Sequence, residues 1–244
     1  MESYGATALP QVKTGNTYMA NLIFHINGDM NTPLEFCAEL LINAGYTGRD
    51  TASVAGHIAE MKAAGIPAPK KTPCFFRKDP NLLSVASNIR ILDKDCSGEA
   101  EFVLLRARGE WFIGCGSDVF DKRVEALDAA KSKHLYPNQI SRDIWRLADI
   151  ADHLDSLILR SWIGKSRARL YQEGNLANIL KPEDMLRLLI QDCGCEPHDG
   201  FVMFGGTIPC LVEGMPFTDC FEAELADPVR GRYLRCRYEL VVIN

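Results

Sequence analysis

Hydrophobic and polar positions along this chain follow the short repeat of β-strands over most of its length, and the helical period surfaces in only a few windows. Residues 18–27 (YMANLIFHIN) read as a strand rich in β-formers and stopped by Gly28-Asp29. Residues 34–44 (LEFCAELLINA) stay ambiguous between helix and strand. A turn at 45–48 (GYTG) leads to Asp50 or Thr51 as an N-cap, opening a helix to about Ala64 that Gly65 and Pro67 end. Beyond it the chain turns β-rich. Residues 89–92, 99–106 and 111–116 predict strands, separated by turns at Ser97-Gly98 and Arg108-Gly109. Residues 121–133 predict a helix with Leu127 and Ala130 on one face, 157–163 and 167–172 a hairpin about Gly164-Lys165, and 182–190 a short helix begun by Pro182. Residues 201–204, 221–227 and 233–243 finish as strands, with a tight turn at Asp227-Pro228 and Gly231. This is a mixed β, α+β pattern with a few short helices. No repeat or linker divides it, so residues 1–244 are expected to form one domain.

Composition narrows the function. The 244 residues, 47% hydrophobic and 24% charged, suffice to bury a core without disulfides. A net charge of -5 argues against a nucleic-acid binder held by a broad basic surface, while leaving room for a local basic pocket. The first residues show no cationic start followed by an apolar run, and no apolar stretch approaches the roughly 20 residues that span a bilayer. Nine cysteines without a secretory signal read as reduced thiols, which points to a soluble, cytoplasmic protein with no membrane partner. Cys193 and Cys195 form a C-x-C with only His198 nearby, and without a second pair at finger spacing they read as ordinary thiols.

Three acids stand out. Glu99 and Glu101 sit at i, i+2 in GEAEFVLL, so both leave one face of a strand that continues with Val103 and Leu105. Adjacent carboxylates repel, and a cation is the simplest way to keep both ionised. Asp118, placed at the end of the next strand, supplies a third oxygen donor of the kind Mg²⁺ or Mn²⁺ prefers. The plain alternative is a solvent-facing pair at a strand mouth. His57 and Glu60 in VAGHIAEM lie at i, i+3 on one helix face, where a His-oriented Glu is a workable general base, or simply an exposed helix pair. Lys133 ends a helix, and alone it reads as a surface lysine. The loop Gly205-Gly206-Thr207-Ile208-Pro209 can turn backbone N–H groups and the Thr207 hydroxyl onto a carboxylate, and is equally good as a turn. Arg49 beside Asp50 suits a substrate carboxylate, a lid contact or, more plainly, a structural salt bridge. Trp111, Trp145 and Trp162 read as packing residues. Asp149, Asp152, His153 and Asp155 read as a solvated acidic stretch.

Taken in order, HIAEM, EAE, GSDVFDK, SK, YQEG and GGTIP resemble the fumarylacetoacetate hydrolase family, whose corresponding segments look like H-V-R-E-M, H-x-E-x-E-L, N-D-x-T-A-R-D, A-K-S-F, R-Q-x-G and T-G-T-P. The resemblance runs from about Gly45 to the end. It implies a fumarylacetoacetate-hydrolase-like β-roll with short peripheral helices, with about residues 1–45 leading into a lid and 46–244 forming the metal-binding roll, assembled as a homodimer. It further implies Glu99, Glu101 and Asp118 as ligands of Mg²⁺ or Mn²⁺, with Ca²⁺ as a further candidate. His57 and Glu60 match the family's water-activating lid dyad, and Lys133 matches a lysine that stabilises developing negative charge. Gln172, Thr207, Gly206 and Arg49 fall to substrate contact. The implied substrate is a small anionic oxo acid, and the implied reaction is hydrolysis of a C–C bond in a 2-oxo or 1,3-diketo acid. Decarboxylation, isomerisation or hydration through a stabilised enolate is the alternative, and a non-catalytic acid-binding protein the remaining one. The sequence departs from the family where Phe120 and Glu125 follow Asp118 and where Ser97 precedes the E-x-E.

Overall fold

The computed structural model describes residues 21–63 and 68–243, with the side chains of His57, Glu60 and Met61 outside that set. In chain order the strands are β1 (Asn21–Ile26), β2 (Asp29–Cys37), β3 (Leu40–Gly45), β4 (Cys74–Lys78), β5 (Leu83–Ser84), β6 (Asn88–Ile91), β7 (Cys96–Ala107), β8 (Glu110–Asp121), β9 (Asn138–Ile140), β10 (Asp143–Arg146), β11 (Ile158–Ile163), β12 (Arg169–Asn175), β13 (Phe201–Phe204), β14 (Cys220–Asp227) and β15 (Arg232–Val242). The helices are α1 (Thr51–Ala63), α2 (Lys122–Glu125), α3 (Ala129–Leu135) and α4 (Pro182–Cys193). Among the described residues no helix is long and apolar enough to cross a membrane.

The larger sheet runs β2-β1-β10-β8-β7-β13-β3-β4, with β9 beside β8 and β5 beside β9. The smaller runs β12-β11-β14-β15-β6. The ambiguous stretch 34–44 is strand except at Ala38 and Glu39, supplying the end of β2 and most of β3. β3 lies between β13 and β4 and is buried nearly end to end, which explains an apolar run without alternation.

The β7–β8 hairpin stands at the centre. Its ladder runs unbroken from Cys96↔Asp121 to Ala107↔Glu110. Arg108 (φ 52°) and Gly109 (φ 74°) close it, both at the positive φ that a two-residue type I′ connection needs. One face, with Ala100, Phe102, Leu104, Ile113, Cys115 and Val119, packs into the main core with Leu159, Phe221, Leu225 and Tyr238 of the smaller sheet. The other face, with Val103, Leu105 and Phe112, joins Phe24, Leu34, Ile144, Val202 and Phe204 in a second core around which the larger sheet curls.

The structure departs from the sequence pattern at several points. Residues 121–133 are not one helix: α2 and α3 are separate, and each is capped by its own aspartate. Asp121 Oδ1 accepts from the Arg123 and Val124 N–H groups at 2.9 Å each, and Asp128 from that of Lys131 at 3.1 Å. Leu127, placed on an apolar face, is 81% exposed between them. Ser97 and Gly98 lie inside β7 rather than in a turn. A Cβ at Gly98 would meet the Tyr238 hydroxyl at 2.2 Å, so this glycine serves close packing. Asp118 stands within β8, which continues to Asp121. α1 begins as expected, with Asp50 Oδ1 accepting from the Ala52 N–H at 3.0 Å. Tyr18, Ala64, Gly65 and Pro67 lie outside the described residues. Cys193 and Cys195 are free thiols.

Candidate active site

The β7–β8 register sets Glu99 directly opposite Asp118, and Glu101 opposite Gly116. Side-chain alternation sends all three carboxylates to the face that continues as Val103 and Leu105. That face changes from acidic to wholly apolar within one strand, which places the acids where the second core opens. Asp118 is fully buried, Glu101 is 3% exposed and Glu99 is half-buried. Below Glu101 a Cβ at Gly116 would lie 2.6 Å from the Phe204 ring and 2.7 Å from Val103, so the floor is closed.

Two lysines meet this group from other elements. Ser132 of α3 donates to the Asp121 carbonyl at 2.7 Å and accepts from the Asp121 N–H at 3.1 Å, pinning α3 to the end of β8. The next residue, Lys133, thereby reaches inward: its ammonium pairs with Asp118 Oδ2 and lies 3.9 Å from a Glu125 oxygen. The Phe76 and Phe120 rings flank it at 5.9 and 5.7 Å. Lys78 of β4, 2% exposed, donates to Asn138 Oδ1 at 2.6 Å and lies 3.8 Å from Asp118 Oδ1. Asn138 in turn donates to Asn43 Oδ1 at 2.9 Å.

Charge and burial oppose one another here. Burial, with Glu125 and Asp118 nearby, pushes the Glu99 carboxyl up to about 8 against the pull of Lys133. Glu101 is raised well above the usual carboxylate range by burial and then by Asp118. Burial likewise raises Glu125. Burial works against a charged Lys133, yet Asp118, Glu99 and Glu125 hold it protonated above its ordinary value. Lys78 is brought down to about 8 by burial, with Asp118 opposing.

The loop after β13 closes one side. The Gly206 N–H donates to Glu101 Oε2 at 2.6 Å, and Thr47 donates to the Gly205 carbonyl at 2.9 Å. Gly206 sits at φ +89°, and a Cβ there would fall 2.0 Å from Thr47 Oγ1. Thr207 Oγ1 donates to the Ala100 carbonyl at 2.8 Å and accepts from Gln172 Nε2 at 2.8 Å. Gln172 also donates to the Ile208 carbonyl at 2.7 Å and accepts from the Ala100 N–H at 3.0 Å and Ser161 at 2.7 Å. Both side chains thus brace the backbone of β7 against the loop. Arg49 makes a two-pronged pair with Asp155 at 2.8 and 2.9 Å and caps the Ile179 carbonyl at 2.9 and 3.1 Å, the plainest of its readings. His57 and Glu60 sit on α1, which springs from the Thr47–Asp50 loop beside Gly206; their side chains lie outside the described residues.

Sequence reasoning missed Lys78, Asn138 and Asn43. Asn43 had a signal, a polar residue inside a run buried on both faces. Lys78 had none.

The donor set suits a hard divalent cation. Three carboxylates share one face of the hairpin, and Asp118 Oδ1 is buried without a hydrogen-bond partner. As the side chains stand, the Lys133 ammonium holds the other Asp118 oxygen, and no group of three His, Cys, Asp or Glu among the described residues is drawn tightly enough to enclose an ion.

Comparisons with known proteins bear on the fold. A family model designated DUF2848, described as a protein of unknown function, matches residues 44–238. No curated protein matches the chain significantly. Among solved structures, the chain is similar to fumarylpyruvate hydrolase from Pseudomonas aeruginosa in complex with Mn²⁺ and pyruvate, at 12% identity and TM-score 0.60, over 96% of this chain and 100% of that one. It is also similar to 2-keto-3-deoxy-D-arabinonate dehydratase complexed with magnesium and 2,5-dioxopentanoate, at 17% identity and TM-score 0.59, over 88% and 78% of the two chains. A third is 4-oxalocrotonate decarboxylase from Pseudomonas putida G7 complexed with calcium and acetate, at 14% identity and TM-score 0.54, over 83% and 76%. The fold is the fumarylacetoacetate-hydrolase-like mixed β, α+β architecture.

Proposed function

The chain belongs to the DUF2848 family, whose function is unknown, and from its buried acids we propose a divalent-metal-dependent enzyme that hydrolyses a C–C bond in a small 2-oxo or 1,3-diketo acid. The observation that carries this reading is Asp118 Oδ1, fully buried without a hydrogen bond and with the Lys78 ammonium no closer than 3.8 Å, on a residue paired with Glu99 and near Glu101. A buried carboxylate oxygen left without a hydrogen bond suits a ligand to a hard cation. The three structural neighbours named above, with Mn²⁺, magnesium or calcium and small organic acids in their complexes, support it.

In this reading Glu99, Glu101 and Asp118 hold Mg²⁺ or Mn²⁺, with Ca²⁺ as a further candidate, and the cation supplies Lewis-acid polarisation of a carbonyl. The chain's own groups do the rest. Gly206 orients Glu101 through its N–H. Lys133, fixed by the Ser132 anchor, presents a charged ammonium to negative charge developing on the substrate and a proton to the leaving carbon. Glu60, oriented by His57, takes the proton from the attacking water. A cytosolic homodimer with residues 1–45 leading into the lid completes the proposal.

Product analysis by NMR, with Mg²⁺ and 1,3-diketo acids or oxaloacetate, tests it. Two acid fragments should form from the diketo acid, and Glu60→Gln should slow this at least ~100-fold. Decarboxylated or isomerised product, formed as fast by Glu60→Gln, would replace the hydrolase with a lyase or isomerase.

A further inference from the structure

We infer that this site selects an oxo acid whose far end is uncharged and disfavours one carrying a second carboxylate there; the inference rests on the oxo-acid reading above. It follows from where the fourth acid stands. Glu101 lies at the inner end of the acidic face, against Gly206 and above the closed floor at Gly116. Glu99 and Asp118 come next along the ladder. Outward from them β8 ends at Asp121, and α2 carries Glu125 to the mouth, its side chain 26% exposed and 3.9 Å from Lys133. A substrate anchored by its oxo-acid end at the inner carboxylates therefore leads its far end past Glu125.

Among the described residues, the lysines that reach these acids are already committed within the site. Lys133 already faces Asp118 and Glu125, and Lys78 lies deep, on Asn138. The arginines of the adjoining segments are engaged elsewhere: Arg49 on Asp155, Arg77 on Cys195, and Arg123 on Asp93 and Asp95. The remaining wall is aromatic, with the buried Phe120 and the half-buried Phe76 against Lys133. An apolar or neutral tail fits that wall, whereas a carboxylate meets a like charge across it.

Two unreactive chain-matched probes separate the alternatives: 2-oxohexanoate, with one carboxylate, and 2-oxoadipate, with two. Calorimetry on the Mg²⁺-supplemented protein should show 2-oxohexanoate binding at least about tenfold tighter. Glu125→Gln, which keeps the side-chain shape, should shrink that ratio several-fold, and Glu125→Arg should invert it. Equal or tighter binding of 2-oxoadipate by the unmodified protein, or a ratio unmoved by Glu125→Gln, would overturn the selectivity. Failure of both probes to bind would overturn the oxo-acid reading itself, and the selectivity with it.

Discussion

Glu99 and Asp118 are directly opposed partners in the β7–β8 ladder, with their carboxylates on one face. Directly opposed like charges destabilise a sheet pair, so this juxtaposition works against the fold unless positive charge accompanies it. Lys133 on one Asp118 oxygen and Lys78, 3.8 Å from the other, are positive charges the chain itself provides. A divalent ion is what the proposed function adds.

Exchanging Glu101 for Ala should therefore abolish Mg²⁺ and Mn²⁺ binding in calorimetry, and an unchanged affinity would discredit the ligand set. Lys133→Met should act in the opposite sense on the ion. It removes an ammonium that competes for Asp118, so cation affinity should hold or rise while turnover falls. Loss of both together would mean that Lys133 only supports the fold.

Gly206→Ala combines a positive φ with a clash against Thr47. A cost of at least about 1–3 kcal/mol is expected in chemical denaturation. Thr47→Ala in the same background should recover part of it by relieving the contact, leaving the backbone strain. No recovery would show that the cost lies elsewhere.

His153 gives the fold a pH dependence away from the acids. Its ring nitrogens face Asp152 at 2.5 Å and Asp227 at 3.1 Å, so only the protonated ring satisfies both. The Asp152 contact, with Asp227 adding to it, raises the ring above its ordinary 6.5. Because the folded value exceeds the unfolded one, the stabilisation is fully present below about pH 6.5 and fades as pH rises through the raised value. The stability difference between the unmodified protein and His153→Gln should be largest below about pH 6.5 and shrink in urea titrations as pH rises through the raised value. A constant difference would exclude the charged bridge.

Arg49 and Asp155 are both partly exposed, at 34% and 45%. A double-mutant cycle to Ala should return a coupling of only about 0.5–1 kcal/mol despite the two-pronged geometry. A much larger value would mean that the pair secures the base of α1 rather than a surface contact.

The acidic ladder was legible in the sequence because it is local: the i, i+2 spacing of Glu99 and Glu101 and the apolar Val103 and Leu105 beyond them define a face without reference to any other element. The strands β11 to β15 and helix α4 were legible for the same reason, through alternation and a proline at the helix start. Most misreadings have a cause in long-range packing. Gly98 looks like a turn residue until Tyr238 is seen pressing on it, whereas 121–133 divides for a local reason, since Asp121 and Asp128 each cap a separate piece. The 34–44 run hid two strands because β3 is covered on both faces by segments distant in sequence. Lys78 reaches Asp118 from β4, across a separation that no local pattern encodes.

The two-residue connection at Arg108 and Gly109 does more than join two strands. Its geometry fixes which residue of β8 meets which of β7, and a slip by a single position would turn Glu99 and Glu101 into the greasy interior while Phe102 swung out to the face they had left. Assembly of the chain and alignment of its chemistry thus answer to one tight bend. Lengthening that bend by one residue would strike at both together, although it lies at the far end of the strands from the carboxylates.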